Sequence, residues 1–158
     1  MAGSGVQLAI VALRTHHMLH LMSPHKSPPA LENKMRIGFI GLGNVGGKLA
    51  GSLQRNGFDL MVRDLDQQVA TPFIDRGAQW AESPAEMTRQ TDMVITCLPN
   101  PSASAAVMED QDGILSEMAD GKIWAEMSTT DEHEVNRLGK QVRAAGREAM
   151  DCPVSGGC

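Results

Sequence analysis

The chain has 158 residues, 42% apolar and 21% charged, with a formal net charge of −5. That balance suits one packed domain and excludes a disordered chain. Acidity together with 3% aromatic content excludes a phosphate-tracking or base-stacking surface for nucleic acid. No apolar run is long enough to span a bilayer.

Residues 1–34 differ from the rest. They carry three Lys/Arg, one acid (Glu32), four histidines (His16, His17, His20, His25) and Pro24, Pro28 and Pro29. The composition breaks at Met35. The apolar residues 6–13 lack a preceding basic residue and a small-residue cleavage site, which argues against a secretory signal. This segment is expected to be a disordered leader or to precede a true start at Met35. A mitochondrial transit peptide is the alternative, supported by the absence of acids before Glu32 and weakened by a lone Arg14. The histidines have no second ligand set, so no metal site is assigned. Three cysteines, Cys97, Cys152 and Cys158, lack C-x-x-C spacing. A disulfide framework or structural zinc is therefore not expected, and a reducing compartment fits. The expected location is cytoplasmic, or the mitochondrial matrix if the leader is a transit peptide.

From Met35 the elements alternate. Residues 36–42 (RIGFIGL) read as a buried strand running into glycines. Val45, Leu49 and Leu53 recur at four-residue spacing and Asn56-Gly57 follows, predicting a helix with a glycine C-cap. Residues 60–62 predict a second strand. Residues 67–76 predict a helix ending at Gly77, with Pro72 kinking it or opening a shorter piece capped by Thr71. Ser83-Pro84-Ala85-Glu86 is a capping box. Residues 93–98 predict a strand stopped by Pro99, 103–108 a helix and 122–127 a strand. Thr130 is the expected cap of a helix with an acidic first turn and a core stripe of Val135, Leu138, Val142 and Ala145, closed by Gly146. Ala149-Met150 predicts a last short strand.

This alternation predicts an α/β fold: a Rossmann-type, doubly wound, mostly parallel sheet with helices on both faces. Ligands of such sheets bind beyond the carboxyl ends of the strands. The loops 41–46, 64–66, 98–100, 128–130 and 152–157 all follow predicted strands, so they should share one rim.

Gly41-Leu42-Gly43-Asn44-Val45-Gly46 is G-x-G-x-x-G, and it follows a strand and opens a helix, the context that gives the pattern meaning. Gly41 permits the tight turn, Gly43 the approach of a pyrophosphate, and Gly46 close packing of helix on strand. The helix N-terminus supplies N–H groups and partial positive charge for the phosphates. Asp64 lies 18 residues past Gly46, at the end of the second strand. A carboxylate there accepts hydrogen bonds from the ribose hydroxyls of an adenosine and repels a 2′-phosphate. Leu65 follows, and Arg63 should point the other way along the strand. The cofactor expected is NAD, ahead of NADP.

With these residues in view the chain resembles a known family. R-I-G-F-I-G-L-G-N-V-G, the strand ending L-P-N, M-S-T-T and M-D-C-P-V-S-G-G, in that order, resemble the 3-hydroxyisobutyrate dehydrogenases. These are β-hydroxyacid dehydrogenases related to 6-phosphogluconate dehydrogenase. The likeness covers residues 35–157 and implies NAD(P)-dependent hydride transfer between a small 3-hydroxy acid and its semialdehyde. By resemblance, Leu98 and Pro99 lie beside the cofactor ribose and nicotinamide. Asn100 stands at a frequent polar contact, Thr129 meets the nicotinamide end, and Ser128 helps hold the substrate. Ser155, Gly156 and Gly157 resemble the loop that receives a substrate carboxylate. Glu126-Met127 departs from the family's D-S.

The family's catalytic lysine follows the P-V-S-G-G motif on a later helix, and no residue here matches it. Lys122 and Lys140 lie in the wrong motifs. The expectation is therefore a chain truncated before that lysine and before the helical second domain, which carries most homo-oligomer contacts in the family. Losing the acid/base group alone costs roughly 10²–10⁴-fold in rate. Two other functions stay open: an NAD-binding module without catalysis, and a regulatory protein built on the fold.

Overall fold

The computed structural model describes residues 35–129 and 131–154. They fall within one unit, Met35–Cys158. The expectations for residues 1–34 therefore lie outside the described residues, as do those for Thr130, Ser155, Gly156 and Gly157.

The elements are β1 (Arg36–Ile40), α1 (Gly46–Arg55), β2 (Asp59–Arg63), a 3-10 turn (Gln67–Ala70), α2 (Thr71–Ile74) and β3 (Gln79–Trp80). They continue with α3 (Pro84–Gln90), β4 (Met93–Thr96), α4 (Pro101–Glu109), a 3-10 turn (Ile114–Glu117), β5 (Ile123–Glu126), α5 (Glu132–Ala144) and β6 (Glu148–Asp151). Among the described residues the six strands form one sheet in the order β3-β2-β1-β4-β5-β6. Every pairing is parallel. This is the doubly wound topology, and the direction of winding reverses between β1 and β4.

Side-chain alternation separates two buried faces. Ile40, Met61, Val94 and Trp124 point to one face and join Met87, Met108, Ile114, Leu138 and Val142 in a single apolar cluster, so α3, α4 and α5 cover it. Ile37, Phe39, Leu60 and Val62 alternate to the other face. There α1 contributes buried Leu49, Ala50 and Leu53, and α2 contributes Phe73. Gly38 interrupts β1 for a packing reason: a Cβ there would stand 2.4 Å from Met87 Cγ, so any larger residue would force the buried Met87 side chain of α3 to move. No helix among the described residues is long and apolar enough to cross a membrane.

The local corrections have physical causes. β1 stops at Ile40 rather than residue 42 because Gly41 takes φ +96° and turns the chain. Residues 67–76 are split: Asp66 caps the 3-10 turn by accepting from Gln68 N–H, and Pro72 sits in the first turn of α2. Thr71 is thus the first residue of α2 and not its N-cap, the place Ala70 takes. Helix α4 starts at Pro101, two residues early, because Asn100 caps it through Ala103 N–H at 2.9 Å. Helix α5 is capped by Asp131, whose carboxylate accepts from His133 and Glu134 N–H at 2.8 and 3.1 Å. Its stripe runs Val135, Leu138, Gly139, Val142, while Ala145 is the exposed C-cap. β3 and the 3-10 turn at 114–117 had no sequence expectation.

Candidate functional site

β1 delivers its chain into the glycine loop, and the backbone leaves no choice of residue at two points. A Cβ at Gly41 would meet Cys97 O at 2.2 Å, and one at Gly46 would meet Gly41 O at 1.9 Å. Gly43 is the opposite case: it is exposed, and nothing lies within 4 Å of where its Cβ would be. The loop is thus closed on its protein side and open above Gly43. Helix α1 begins behind it with no side-chain cap at Val45 and no acid in its first turn. Gly47 N–H already donates to Gly43 O at 2.8 Å and Lys48 N–H to Val45 O at 3.0 Å, so what α1 brings to that opening is the positive end of its dipole. Leu42 packs inward, while Asn44 and Val45 stand exposed on the loop's outer side.

Asp64 is half-buried at the end of β2 and reaches back to this loop. Its Oδ2 accepts from Leu42 N–H at 2.6 Å, and Oδ1 accepts from Asp66 N–H at 3.2 Å. A carboxylate offers about four lone-pair sites, so it keeps acceptor capacity toward solvent after both bonds. Sequence reasoning foresaw the acid and not the bond that ties it to the loop. Arg63 is committed elsewhere: its guanidinium donates to Ala81 O at 2.9 Å and to Glu82 O. It also lies over the Trp80 ring at 5.7 Å.

Across the winding reversal, the ends of β4 and β5 form the other half of the rim. Leu98 is half-buried, and its Cδ2 would lie 3.2 Å from a Cβ on Gly41, so it seats against the glycine loop. Pro99 and Asn100 are exposed. The Asn100 Oδ1 is occupied by Ala103 N–H and the Ser102 hydroxyl. Its amide nitrogen is the end that remains to meet a ligand.

Ser128 is only 4% exposed, and its hydroxyl is engaged on both sides. It accepts from Leu98 N–H at 2.7 Å and donates to Glu126. Thr129 is exposed and donates to Val154 O at 3.1 Å, linking the β5 rim to the segment after β6. That segment runs on beside β5, with Cys152 N–H donating to Glu126 O at 2.8 Å.

Burial pushes the Cys97 thiol up from its ordinary range, and the Glu126 charge adds to the effect. Burial and the neighbouring Asp151 do the same for Cys152. Both thiols stay protonated at neutral pH and are poor nucleophiles. The structure therefore brings the glycine loop, Asp64, Leu98, Pro99, Asn100, Ser128 and Thr129 to the carboxyl ends of four adjacent strands. Sequence reasoning missed Glu126 as a participant; its only signal was the departure from D-S.

A family model described as the NAD binding domain of 6-phosphogluconate dehydrogenase matches residues 36–158. The mitochondrial 3-hydroxyisobutyrate dehydrogenase of Mus musculus is 37% identical over 128 residues, 81% of this chain and 38% of that protein. Among solved structures, Mycobacterium tuberculosis 3-hydroxyisobutyrate dehydrogenase with L-serine has a TM-score of 0.71 at 25% identity, over 78% of this chain and 41% of that one. Psf3 in complex with NADP+ and 2-OPP has a TM-score of 0.73 at 28% identity, over 77% and 43%. The chain spans about two fifths of the length of these relatives.

Proposed function

This chain belongs to the family of the NAD binding domain of 6-phosphogluconate dehydrogenase, and we propose that it binds NAD as the cofactor half of a 3-hydroxyacid dehydrogenase. One observation carries the reading. An open Gly43, the positive end of α1 with no side-chain cap and the Asp64 carboxylate lie at the same end of the sheet, with Asp64 bonded to Leu42 N–H. These residues fit a dinucleotide: space for the pyrophosphate, a positive helix end for its charge, and an acceptor for ribose hydroxyls.

The bound cofactor supplies hydride exchange at its nicotinamide. The chain's own part is to hold and orient it. The loop at 41–46 receives the phosphates. Asp64 accepts from the adenosine ribose, and the fully exposed Leu65 offers apolar surface beside it. Leu98, Pro99, Asn100 and Thr129 border the nicotinamide half. A small hydroxy-acid substrate would lie next to Ser128, whose hydroxyl is already committed; for Ser155, Gly156 and Gly157, outside the described residues, the substrate role rests on the sequence motif alone. No residue of this chain is assigned the proton transfer. NAD is preferred to NADP because a 2′-phosphate would meet Asp64, and Arg63 is held over Trp80. The cytoplasm is the proposed location, with the mitochondrial matrix second; cell fractionation distinguishes the two.

The test is calorimetric titration with NADH and NADPH. NADH should bind, and NADPH more weakly. Asp64→Ala should weaken NADH by about ten- to a hundredfold, the worth of hydrogen bonds to a charged group. Absence of binding by both cofactors would remove the reading. A second reading, an NAD-binding module without catalysis, is favoured by the Ser128 hydroxyl, which Leu98 N–H and Glu126 already engage. NADH binding with no turnover of any 3-hydroxy acid would select it.

A further inference from the structure

Glu126 ends β5 with 0% exposure, although a carboxylate is costly to take out of water. Its hydrogen bonding is concentrated on one residue. Oε1 accepts from Ser128 N–H at 2.8 Å and from the Ser128 hydroxyl, while Oε2 has no partner among the described residues. With its O–H directed at Glu126 Oε1, the Ser128 oxygen presents a lone pair to Leu98 N–H at 2.7 Å. A chain of hydrogen bonds thus runs from Glu126 through Ser128 to the backbone of Leu98. It joins the loop after β5 to the loop after β4, and Leu98 in turn seats against Gly41.

The position of this tie in the sheet gives it a consequence. In a doubly wound sheet the two halves of a dinucleotide lie on opposite sides of the winding reversal. Pyrophosphate at the β1 loop and adenosine over β2 leave the nicotinamide half above β4 and β5, where the tie sits. A buried acid with one unpaired oxygen is a poor device for stability alone, since an apolar side chain of similar volume avoids the desolvation cost. It is a good device for aiming one hydroxyl.

We propose that Glu126 is a positioning residue for the nicotinamide half of the cofactor crevice, acting through the Ser128 hydroxyl on the Leu98 backbone. The proposal rests on the dinucleotide reading above, and the test separates the two. Glu126→Gln replaces the carboxyl by an amide at nearly constant shape, and Ser128→Ala removes the middle link. NADH binding is followed by nicotinamide fluorescence, and ADP-ribose binding by calorimetry. ADP-ribose shares the glycine loop and Asp64 but lacks the nicotinamide.

Each variant should weaken NADH by about tenfold and return its bound emission toward that of free NADH, with ADP-ribose affinity changed by less than about twofold. The double variant should be no worse than Ser128→Ala, because both act on one path. Amide exchange at Leu98, read by NMR, should accelerate by about tenfold or more in both. Equal weakening of NADH and ADP-ribose, or no change in either, would overturn the positioning role. So would unchanged Leu98 exchange, even if the wild type binds neither ligand. Failure of the wild type to bind ADP-ribose would sink the dinucleotide reading and the positioning role with it. If Glu126→Gln does not fold, Ser128→Ala and the Leu98 exchange decide between these outcomes.

Discussion

Gly43 and Gly46 sit three residues apart in one loop and meet opposite surroundings. Gly46→Ala drives a Cβ against Gly41 O, which is backbone and cannot step aside. Overpacking of this kind costs about 1–3 kcal/mol, and urea unfolding should show that loss. Gly43→Ala has open space and a φ outside the left-handed region. It should leave stability within about 0.5 kcal/mol of wild type and yet weaken NADH in the same titration, because the new methyl occupies the pyrophosphate's approach. A Gly43→Ala protein that binds NADH normally would refute the placement of the phosphates. Both glycines were legible in the sequence, because spacing and context single them out. The fate of Ser128 was not: a serine after a strand reads equally as a ligand contact or a tether. Only the buried Glu126 two residues earlier shows that its hydroxyl is spent.

At the scale of the elements, caps account for most of the differences between expectation and structure. The run Ser128-Thr129-Thr130-Asp131 offers four capping side chains in a row, and local pattern cannot choose among them. Asp131 bonds two N–H groups of α5, so Asp131→Ala should cost about 0.5–2 kcal/mol in thermal or urea unfolding. Helix α5 is also clamped to α4. Arg137 donates to Glu109 and Glu134, and Gln141 donates to Glu109. Hydrogen bonds from Arg137 and then from Gln141 hold the Glu109 carboxyl down to about 2, below its ordinary range. A carboxyl depressed in the folded state adds stability above its unfolded value, and that stability fades as pH falls toward the folded one. Stability should therefore drop between about pH 4.5 and pH 2. Glu109→Gln should flatten that part of the profile in acid titration followed by circular dichroism. The clamp lies at the surface, so salt should weaken it. Lys122 serves α3 in a similar way, donating to Arg89 O and Thr91 O at 3.2 and 2.6 Å at the helix's C-terminal end.

Across the whole molecule, the parallel sheet orders stability from the centre outward. β1 and β4 are flanked on both sides, while β3 pairs through only two residues at one edge and β6 lies at the other. Amide exchange should be slowest in β1 and β4, reaching the global unfolding limit, and fastest in β3. NADH at about a hundred times its Kd should add about 2.7 kcal/mol to the measured stability. An unshifted melting temperature at that concentration would contradict binding to the folded state.

The alternation of apolar runs with amphipathic stretches determined the α/β class, and the glycine spacing with a trailing acid singled out the loop and the carboxylate proposed to hold a dinucleotide. These are local signals, carried within one strand–loop–helix unit or one interval of about 20 residues. The tertiary structure decided what depends on distant segments meeting: the strand order, the bond from Asp64 back to Leu42, the diversion of Arg63 onto Trp80, and the Glu126–Ser128–Leu98 tie. Two-residue β3 escaped notice for the same reason. A pair of residues has no periodicity of its own, and only its place beside β2 makes it a strand.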